Sequence, residues 1–299
     1  MILNIIFRGL ILIFGAFLFQ VALSGFSRKV VARIQKRYGP VFWQNFRDIF
    51  KFLFKETSIS HGFIFDFGVL MAFGGTMATL IFLPYGSFEV IPGQTNFIVV
   101  IYLLAIGLLG MAMSAVGSAN PNASIGISRA LTQMLGYELP FLIVVLVMMY
   151  INKTSSIGGL VQSQIQNGWN LWSMPIGAGV SFVSVMGMLG KKPFDSPIAP
   201  AEIASGPLVE YSGKYLGILM LQHDFATVIE VGLFVNLFLG GGSNILIFAI
   251  KYIVVYILMV IISSFLPRFK VEESVKFFWK WGLSLAFLQA VISLGIYLI

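Results

Sequence analysis

The stretch from residue 244 to residue 266 reads NILIFAIKYIVVYILMVIISSFL and contains one charged side chain, that of Lys251. A helix that spans a bilayer needs about 20 predominantly apolar residues, so this stretch predicts a transmembrane helix. Seven further windows have the same character, at residues 1–24, 63–83, 96–118, 129–150, 171–190, 214–239 and 276–298. The sequence therefore predicts an all-α polytopic membrane protein, with about eight transmembrane helices in a single integral membrane domain over residues 1–299.

The composition excludes most other classes of protein. Hydrophobic residues make up 58% of the chain, charged residues 10%, and the mean hydropathy is +0.92. Soluble domains run nearer ~45–50% apolar and ~25% charged, so a soluble globular enzyme and a disordered chain are both excluded. There is no cysteine, and His61 and His223 are the only histidines. We therefore expect no cofactor and no metal site in this chain itself.

Basic residues concentrate in a few segments between the windows. Of the 19 lysines and arginines, only Arg8, Lys153 and Lys251 fall outside the segments that eight helices place on one side. The positive-inside rule puts that side in the cytoplasm, with loops at about 25–62 and 191–213. We expect a multi-pass protein of the cell membrane. Its net charge of +7 is explained by basic loops that set the orientation in the membrane and attract anionic lipid headgroups. We expect no nucleic-acid partner.

The segment from Val41 to Lys55 predicts an amphipathic helix lying at the cytoplasmic membrane surface. At helical spacing its apolar residues share one face, namely Phe42, Phe46, Ile49, Phe50 and Leu53. Two interpretations are compatible with this pattern. The helix is either a lipid-facing anchor or a docking platform for a cytoplasmic partner.

The second cytoplasmic segment, residues 191–213, carries four of the chain's 11 prolines and the carboxylates Asp195, Glu202 and Glu210. Prolines stiffen a loop and break helices, and a simple connection needs neither prolines nor carboxylates. This pattern favours a functional loop. The alternative is a solvated loop that caps two helices.

Ionisable residues inside the windows are functional candidates, because a charge in hydrocarbon is costly unless it is paired or hydrated. Glu138 precedes Pro140, whose ring can kink the helix and leave room for water. His223, Asp224 and Glu230 share one window, and the seven-residue spacing places His223 and Glu230 on the same face.

The residues 240–243, GGGS, predict a tight turn that makes the sixth and seventh helices antiparallel neighbours. At ~1.5 Å per residue from this turn, Glu230 lies ~13 Å deep and Lys251 ~10 Å deep. The two could therefore pair. One interpretation is a static salt bridge; the other is a proton or ion relay through Glu138, His223, Asp224, Glu230 and Lys251.

Motifs of bond-making enzymes are missing from the sequence. There is no Walker loop, no HExxH and no GxSxG. We expect the chain to perform no bond chemistry alone.

Several stretches resemble, in order, one family of membrane subunits. They are RIQKRYGP (33–40) with DIFK (48–51) and FKE (54–56); SRA (128–130) with Gln133 and YELP (137–140); PFD (193–195) with Glu202 and EYSG (210–213); and LPRFK (266–270) with WK (279–280). The family is the membrane subunit next to the redox arm in respiratory complex I (subunit 1, the NuoH type) and in group 4 nickel–iron hydrogenases. The resemblance covers nearly the whole chain.

The resemblance implies a role in a larger complex. It implies hydrogenase-like large and small subunits, an iron–sulfur subunit and antiporter-like membrane subunits as partners, with ferredoxin as an indirect donor. Iron–sulfur clusters and nickel–iron would belong to those partners. The resemblance assigns Glu138, Asp195, Glu202 and Glu210 to a coupling path, and Arg33, Arg37, Arg129, Pro193 and Phe194 to partner docking. His223, Asp224, Glu230 and Lys251 rest on the depth argument alone.

Two departures favour the hydrogenase-like branch of the family. Complex I members typically read Pro-Glu-Ala-Glu where this chain reads Pro197-Ile198-Ala199-Pro200, and the first cytoplasmic loop is shorter here. The missing carboxylates belong to the region that shapes the quinone chamber. Three alternatives stay open: a quinone-site subunit of a complex I-type oxidoreductase, a stand-alone ion transporter, and a purely structural anchor.

Overall fold

The computed structural model describes residues 2–57, 61–93 and 95–298, and this part of the chain is a helical bundle. The helices are α1 (Ile2–Ile34), α2 (Gln44–Phe54), α3 (Phe63–Phe82), α4 (Phe97–Gly117), α5 (Pro121–Ile151), α6 (Ile157–Asn167), α7 (Asn170–Ser173), α8 (Pro175–Met188), α9 (Pro200–Ile203), α10 (Gly213–Phe238), α11 (Ile245–Phe265), α12 (Val271–Phe277) and α13 (Leu283–Leu298). A 3₁₀ turn, Gly206–Leu208, precedes α10, and a π-helical turn, Phe278–Gly282, joins α12 to α13. The predicted all-α fold is confirmed.

Seven of the described helical segments are long and apolar enough to cross a membrane, and α8 supplies a shorter apolar helix in the window 171–190. Side chains just before α8 bind the end of α10, because Asn170 Nδ2 donates to the Leu237 oxygen at 2.9 Å. The loop after α8 binds α5, where Gln133 Nε2 donates to the Phe194 oxygen at 2.6 Å. Although α8 has only 14 residues, it therefore connects the two ends of the bundle. We call the end with residues 35–57, 61–62, 189–212 and 266–270 the loop face, and the other end the opposite face.

Helix α1 is longer than its apolar window. It continues to Ile34, so Arg28, Lys29 and Arg33 are helical, and the loop expected from residue 25 begins about ten residues later. The prediction was wrong here because it ended the helix where the apolar run ended, although basic side chains are good helix formers.

Helix α2 confirms the predicted surface helix, with bounds that fall inside the predicted segment. Ile49 is buried, and Leu53 packs so closely on α10 that a Cβ at Gly217 would lie 3.1 Å from the Leu53 nitrogen. Phe50 stays 47% exposed, and the charged side chains of Arg47 and Lys51 point outward. The helix is thus seated on the bundle by part of its apolar face, and the rest remains available to lipid.

Helix α10 lies at the centre of the bundle. Two thirds of its apolar window, 67%, is buried, more than in any other described span. It packs against α1, α2, α3, α8 and α11. Helix α10 also carries His223, Asp224 and Glu230, and all three side chains line cavities beside this helix.

Among the described helices, α3 and α4 make the most extensive contact, and they do so through small residues. A Cβ at Gly110 would lie 2.8 Å from the Cα of Ala72, and Ser114 Oγ donates to the Phe65 oxygen at 2.8 Å. Close approach through small residues is a common way for membrane helices to pack.

We expect Gly110→Ala to destabilise the protein by about 1–3 kcal/mol, because the added methyl group forces α3 and α4 apart. Gly74→Ala is the matched control, since a Cβ there meets nothing within 4 Å and alanine favours the helix. Thermal unfolding of the detergent-solubilised protein measures both. Equal melting temperatures for the two variants would contradict this account of the α3–α4 contact.

Candidate functional site

Two adjoining cavities inside the bundle form what we call the inner chamber. Their volumes are about 170 and 390 Å³. Both are lined by Leu108, Met111, Tyr137, Met188 and His223, so they share one wall. The first cavity lies at membrane depth, and the second extends from it toward the loop face.

The first cavity holds two of the carboxylates that lie within membrane-spanning helices. Glu138 of α5 and Glu230 of α10 both line it, as do His223 and the amide of Gln222. Gln222 Nε2 donates to Thr76 Oγ1 at 3.1 Å, which ties α10 to α3 beside the cavity. His223 and Glu230 do face the same way, as their spacing predicts. Glu138 and Glu230 therefore face a largely apolar space with a few polar groups, and its volume is large enough for water.

Local packing explains why Glu138 can face this cavity. Pro140 lies inside α5 and removes one backbone hydrogen bond from the turn that carries Glu138. Gly282 lets α13 approach, since a Cβ there would lie 3.2 Å from the Pro140 ring. Gly187 does the same for α8, where a Cβ would lie 2.8 Å from the Tyr137 ring. Small residues thus allow the neighbouring helices to pack closely around the turn of α5 that Pro140 interrupts.

The second cavity brings charged groups of both signs together. Asp195 and Asp224 line it with Lys191 and Arg28, and His223 connects it to the first cavity. Its remaining lining is largely apolar and includes Leu216, Leu219, Met220, Pro197 and Ile198. The chamber therefore runs from the carboxylates of α5 and α10 to the ionic groups beneath the loop face.

An ion network orders the loop of residues 189–212. Arg268 binds Asp195 with two hydrogen bonds of 2.8 Å, from Nε to Oδ1 and from Nη2 to Oδ2. Its Nη1 lies 3.7 Å from Glu202 Oε1, and Glu202 Oε2 accepts from Arg129 Nη1 at 2.9 Å. The hydrogen bonds with Asp195 raise the pKa of Arg268, so its guanidinium stays charged. A bidentate pair of this kind is the strong form of ionic contact.

Pro193 and Phe194, which the resemblance assigned to partner docking, lie inside the loop. Phe194 is 1% exposed and packs on Phe278 and Phe269, with ring centroids 4.6 and 6.0 Å apart. The Pro193 oxygen accepts from the Phe269 nitrogen at 2.9 Å. The docking assignment is wrong for the Phe194 side chain, because a buried ring has no surface to offer a partner. Both residues hold the loop against α12.

Glu210 does not join the Asp195 network. Its Oε1 accepts from the amide of Asn120, and its Oε2 lies 3.4 Å from His61 Nε2. These contacts fasten the start of α10 to the turn between α4 and α5. The structure thus places Asp195 and Glu202 in one ionic cluster and Glu210 in a separate one.

Lys251 does not pair with Glu230, so the interpretation of a static salt bridge between them is wrong. Its Nζ donates to the oxygens of Leu239 and Gly241, at 2.6 and 2.8 Å, and lies 4.7 Å from the centroid of the Trp169 ring. These contacts place the ammonium at the opposite face, at the C-terminal end of α10. Carbonyl groups there attract a cation. The depth estimate neglected the length and flexibility of the lysine side chain.

The arginines assigned to docking differ in their surroundings. Arg33 lies 5.7 Å from the Tyr38 ring centroid, and Arg37 bonds the side chain of Gln35; both arginines are exposed. Arg129 is half-buried and is already paired with Glu202. Arg33 and Arg37 are therefore available to a partner, and their docking role stays a prediction.

Sequence reasoning missed Arg268, Gln133 and Lys191. Arg268 entered only as a basic residue and as part of the LPRFK stretch, with no role assigned, although it makes a bidentate ionic contact at the loop face. Gln133 holds the loop from α5, donating to the Phe194 oxygen and accepting from Ser196 Oγ at 2.9 Å. The position of Gln133 in a predicted membrane window could have indicated its role, because a polar side chain there needs a hydrogen-bond partner.

Together, these features define a polytopic membrane protein with an ionisable chamber beneath an ordered polar face. Comparison with known proteins is consistent with that class. A family model described as NADH dehydrogenase matches residues 7–294. The chain belongs to this NADH dehydrogenase family, and the family predicted from the sequence is confirmed.

Individual relatives span almost the whole chain. The F(420)H(2) dehydrogenase of Methanosarcina mazei has one subunit that is 27% identical, over 97% of this chain and 93% of the relative. The NADH-quinone oxidoreductase of a Geobacillus species likewise has one that is 27% identical, over 95% and 91%. A solved structure of the membrane-bound sulfane sulfur reductase, an archaeal respiratory membrane complex, contains a chain that is 35% identical. That match has a TM-score of 0.93 and covers 97% of this chain and 99% of the other. The protein is thus a membrane subunit of a redox complex.

We expect Arg268→Ala to loosen the loop of residues 189–212 by about 1–3 kcal/mol, because it leaves the Asp195 carboxylate without its bidentate partner. Faster amide hydrogen exchange over this loop would report the change. Lys276→Gln is the control, since that lysine makes only an exposed pair with Glu272 at 4.0 Å. Unchanged exchange in Arg268→Ala would show that the network does not order the loop.

Proposed function

We propose that this subunit holds a peripheral redox module on its loop face and couples electron transfer to translocation of H⁺ or Na⁺. The observation that supports this most is the chamber itself. It joins the ionic groups under the loop face to Glu138 and Glu230 at membrane depth. A purely structural anchor does not need two carboxylates on one internal cavity, since carboxylates facing hydrocarbon are costly.

The loop face is the proposed docking surface, and we place it in the cytoplasm because it carries most of the basic residues. Arg33 and the outward side of α2 are exposed there. The proposed partners are hydrogenase-like large and small subunits and an iron–sulfur subunit, which would hold the iron–sulfur clusters and any nickel–iron centre. Antiporter-like subunits would adjoin in the membrane, and ferredoxin is the proposed donor to the module.

Coupling follows from electrostatics. A change of charge in the docked module acts on the Asp195–Arg268 pair and on Lys191, which lie between the module and the chamber. Charges interact more strongly through protein than through bulk water, so the effect reaches His223 and Asp224 in the same cavity. Proton occupancy at Glu138 and Glu230 then changes through linked equilibria. We propose that these groups pass protons to the neighbouring pumps.

The electron acceptor that we propose lies in the partner module and is not quinone. Ile198 lines the second cavity at a position where complex I members carry a carboxylate by the resemblance, so this chain lacks a carboxylate of the quinone chamber. The 35% match to a chain of the sulfane sulfur reductase complex supports the same branch. Protons and sulfane sulfur are the acceptors that fit it.

A quinone-site subunit is the second candidate. It is favoured by the apolar lining of the larger cavity and by relatives whose names include quinone.

We expect Glu138→Gln, in the assembled complex, to abolish most ion translocation while electron transfer continues, because glutamine cannot exchange the proton. Ion uptake into vesicles per electron transferred is the measurement. Glu272→Gln is the control, since Glu272 is exposed on α12 and lies outside the chamber. Normal ion uptake and turnover in Glu138→Gln would rule out its role in coupling.

Photoreactive quinone labelling separates the two candidates. We expect no specific labelling of the chamber walls in the assembled complex, and no quinone-competitive inhibition. Labelled peptides from residues 189–227 that disappear with excess quinone would establish the quinone-site alternative. Transport by the isolated chain in liposomes would instead support the stand-alone transporter.

A further inference from the structure

A third cavity lies outside the inner chamber, where α1 and α11 reach the loop face. Its volume is about 390 Å³, and we call it the basic groove. Arg28, Arg37 and Lys191 line it, together with Ser27, Val260 and Ser263. No carboxylate is among the described residues that line it. Three cations therefore surround one space large enough for a small polar group.

The positive charge of this groove is only weakly balanced within the protein. The nearest carboxylate of Arg28 is that of Asp48, at 3.5 Å between partly exposed side chains. Arg37 bonds the neutral amide of Gln35, and Lys191 lies 5.8 Å from the ring centroid of Tyr256. Asp195 and Asp224 line the adjoining second cavity with Arg28 and Lys191, but among the described residues neither carboxylate forms an ion pair with a cation of the groove. The groove therefore favours an anion.

The position of the groove favours a lipid over a protein as its ligand. It is built from the last turns of two membrane-spanning helices, which is the level of lipid headgroups. Val31 and Val260 give it an apolar wall, and the same two helices expose Leu18, Val254 and Leu258 along their membrane-spanning parts. Acyl chains can lie against such a surface, whereas an acidic protein segment gains nothing from it.

We propose that the basic groove binds the phosphate headgroup of an anionic lipid. Arg28, Arg37 and Lys191 would donate to the phosphate oxygens, and the acyl chains would lie against α1 and α11. Ser27, Arg28 and Lys191 also line the second cavity of the chamber, so a bound phosphate would lie next to its wall. Lipid composition would then change the electrostatic field inside the chamber.

Lipid binding to the intact complex tests the proposal. The complex, washed free of lipid in detergent, is titrated with dioleoyl-phosphatidylglycerol, and bound lipid is counted by native mass spectrometry. We expect a site that the zwitterionic phosphatidylcholine does not fill. The double variant Arg37→Gln/Lys191→Gln should bind phosphatidylglycerol at this site roughly 25-fold more weakly. Each basic side chain near an anionic headgroup strengthens binding about fivefold, and the variant removes two.

The matched control is Arg47→Gln/Lys51→Gln, which removes the same charge from the exposed side of α2. Elution as an intact complex and an unchanged melting temperature show that each variant is folded. Equal lipid binding by the two double variants would overturn the proposal. So would displacement of the lipid by inorganic phosphate at equal concentration, or cross-linking of a photoreactive residue at position 37 to an acidic segment of a partner subunit.

Discussion

The cost of placing a carboxylate among membrane helices is the constraint on which the rest of this structure depends. Glu138 and Glu230 cannot face hydrocarbon as ions without water or a counter-charge nearby. The fold meets this demand with the chamber, into which both carboxylates point. Pro140, Gly187 and Gly282 shape that space, and the buried helix α10 carries one of its walls. The packing of the helices thus creates the cavity that these carboxylates require.

The loop of residues 189–212 serves both the outside of the protein and the chamber. The contact between Arg268 and Asp195 holds the loop in place, and Pro197 and Ile198 of the same loop form part of the second cavity. Any change in the position or charge of this loop therefore reaches the chamber directly. A redox module seated on the loop face would need no long mechanical linkage to influence the carboxylates at membrane depth.

Much of the architecture could be predicted from hydropathy. The apolar windows, the surface helix α2 and the shared face of His223 and Glu230 follow from spacing and from the length of a bilayer span. The extension of α1 to Ile34 was missed because its last turns are basic, and hydropathy reports lipid contact rather than helix length. Lys251 was placed by the position of its backbone, whereas the long side chain carries the ammonium away to carbonyl groups at the opposite face.

The contacts of the loop face were beyond sequence reasoning for a different reason. Arg268 and Asp195 lie 73 residues apart, and no local pattern indicates that α11 and the loop after α8 end side by side. Phe194 was assigned to docking by resemblance, but its burial depends on rings from α12 and its flanking turns. Such tertiary contacts can be identified only from the folded structure.

Redox-induced infrared difference spectroscopy of the intact complex tests the central claim most directly. We expect reduction of the redox module to change a carboxyl C=O band that is absent in Glu138→Gln or Glu230→Gln. A difference spectrum whose carboxyl region is identical in wild type and in both variants would contradict it, because the carboxylates of the chamber would then take no part in the redox cycle.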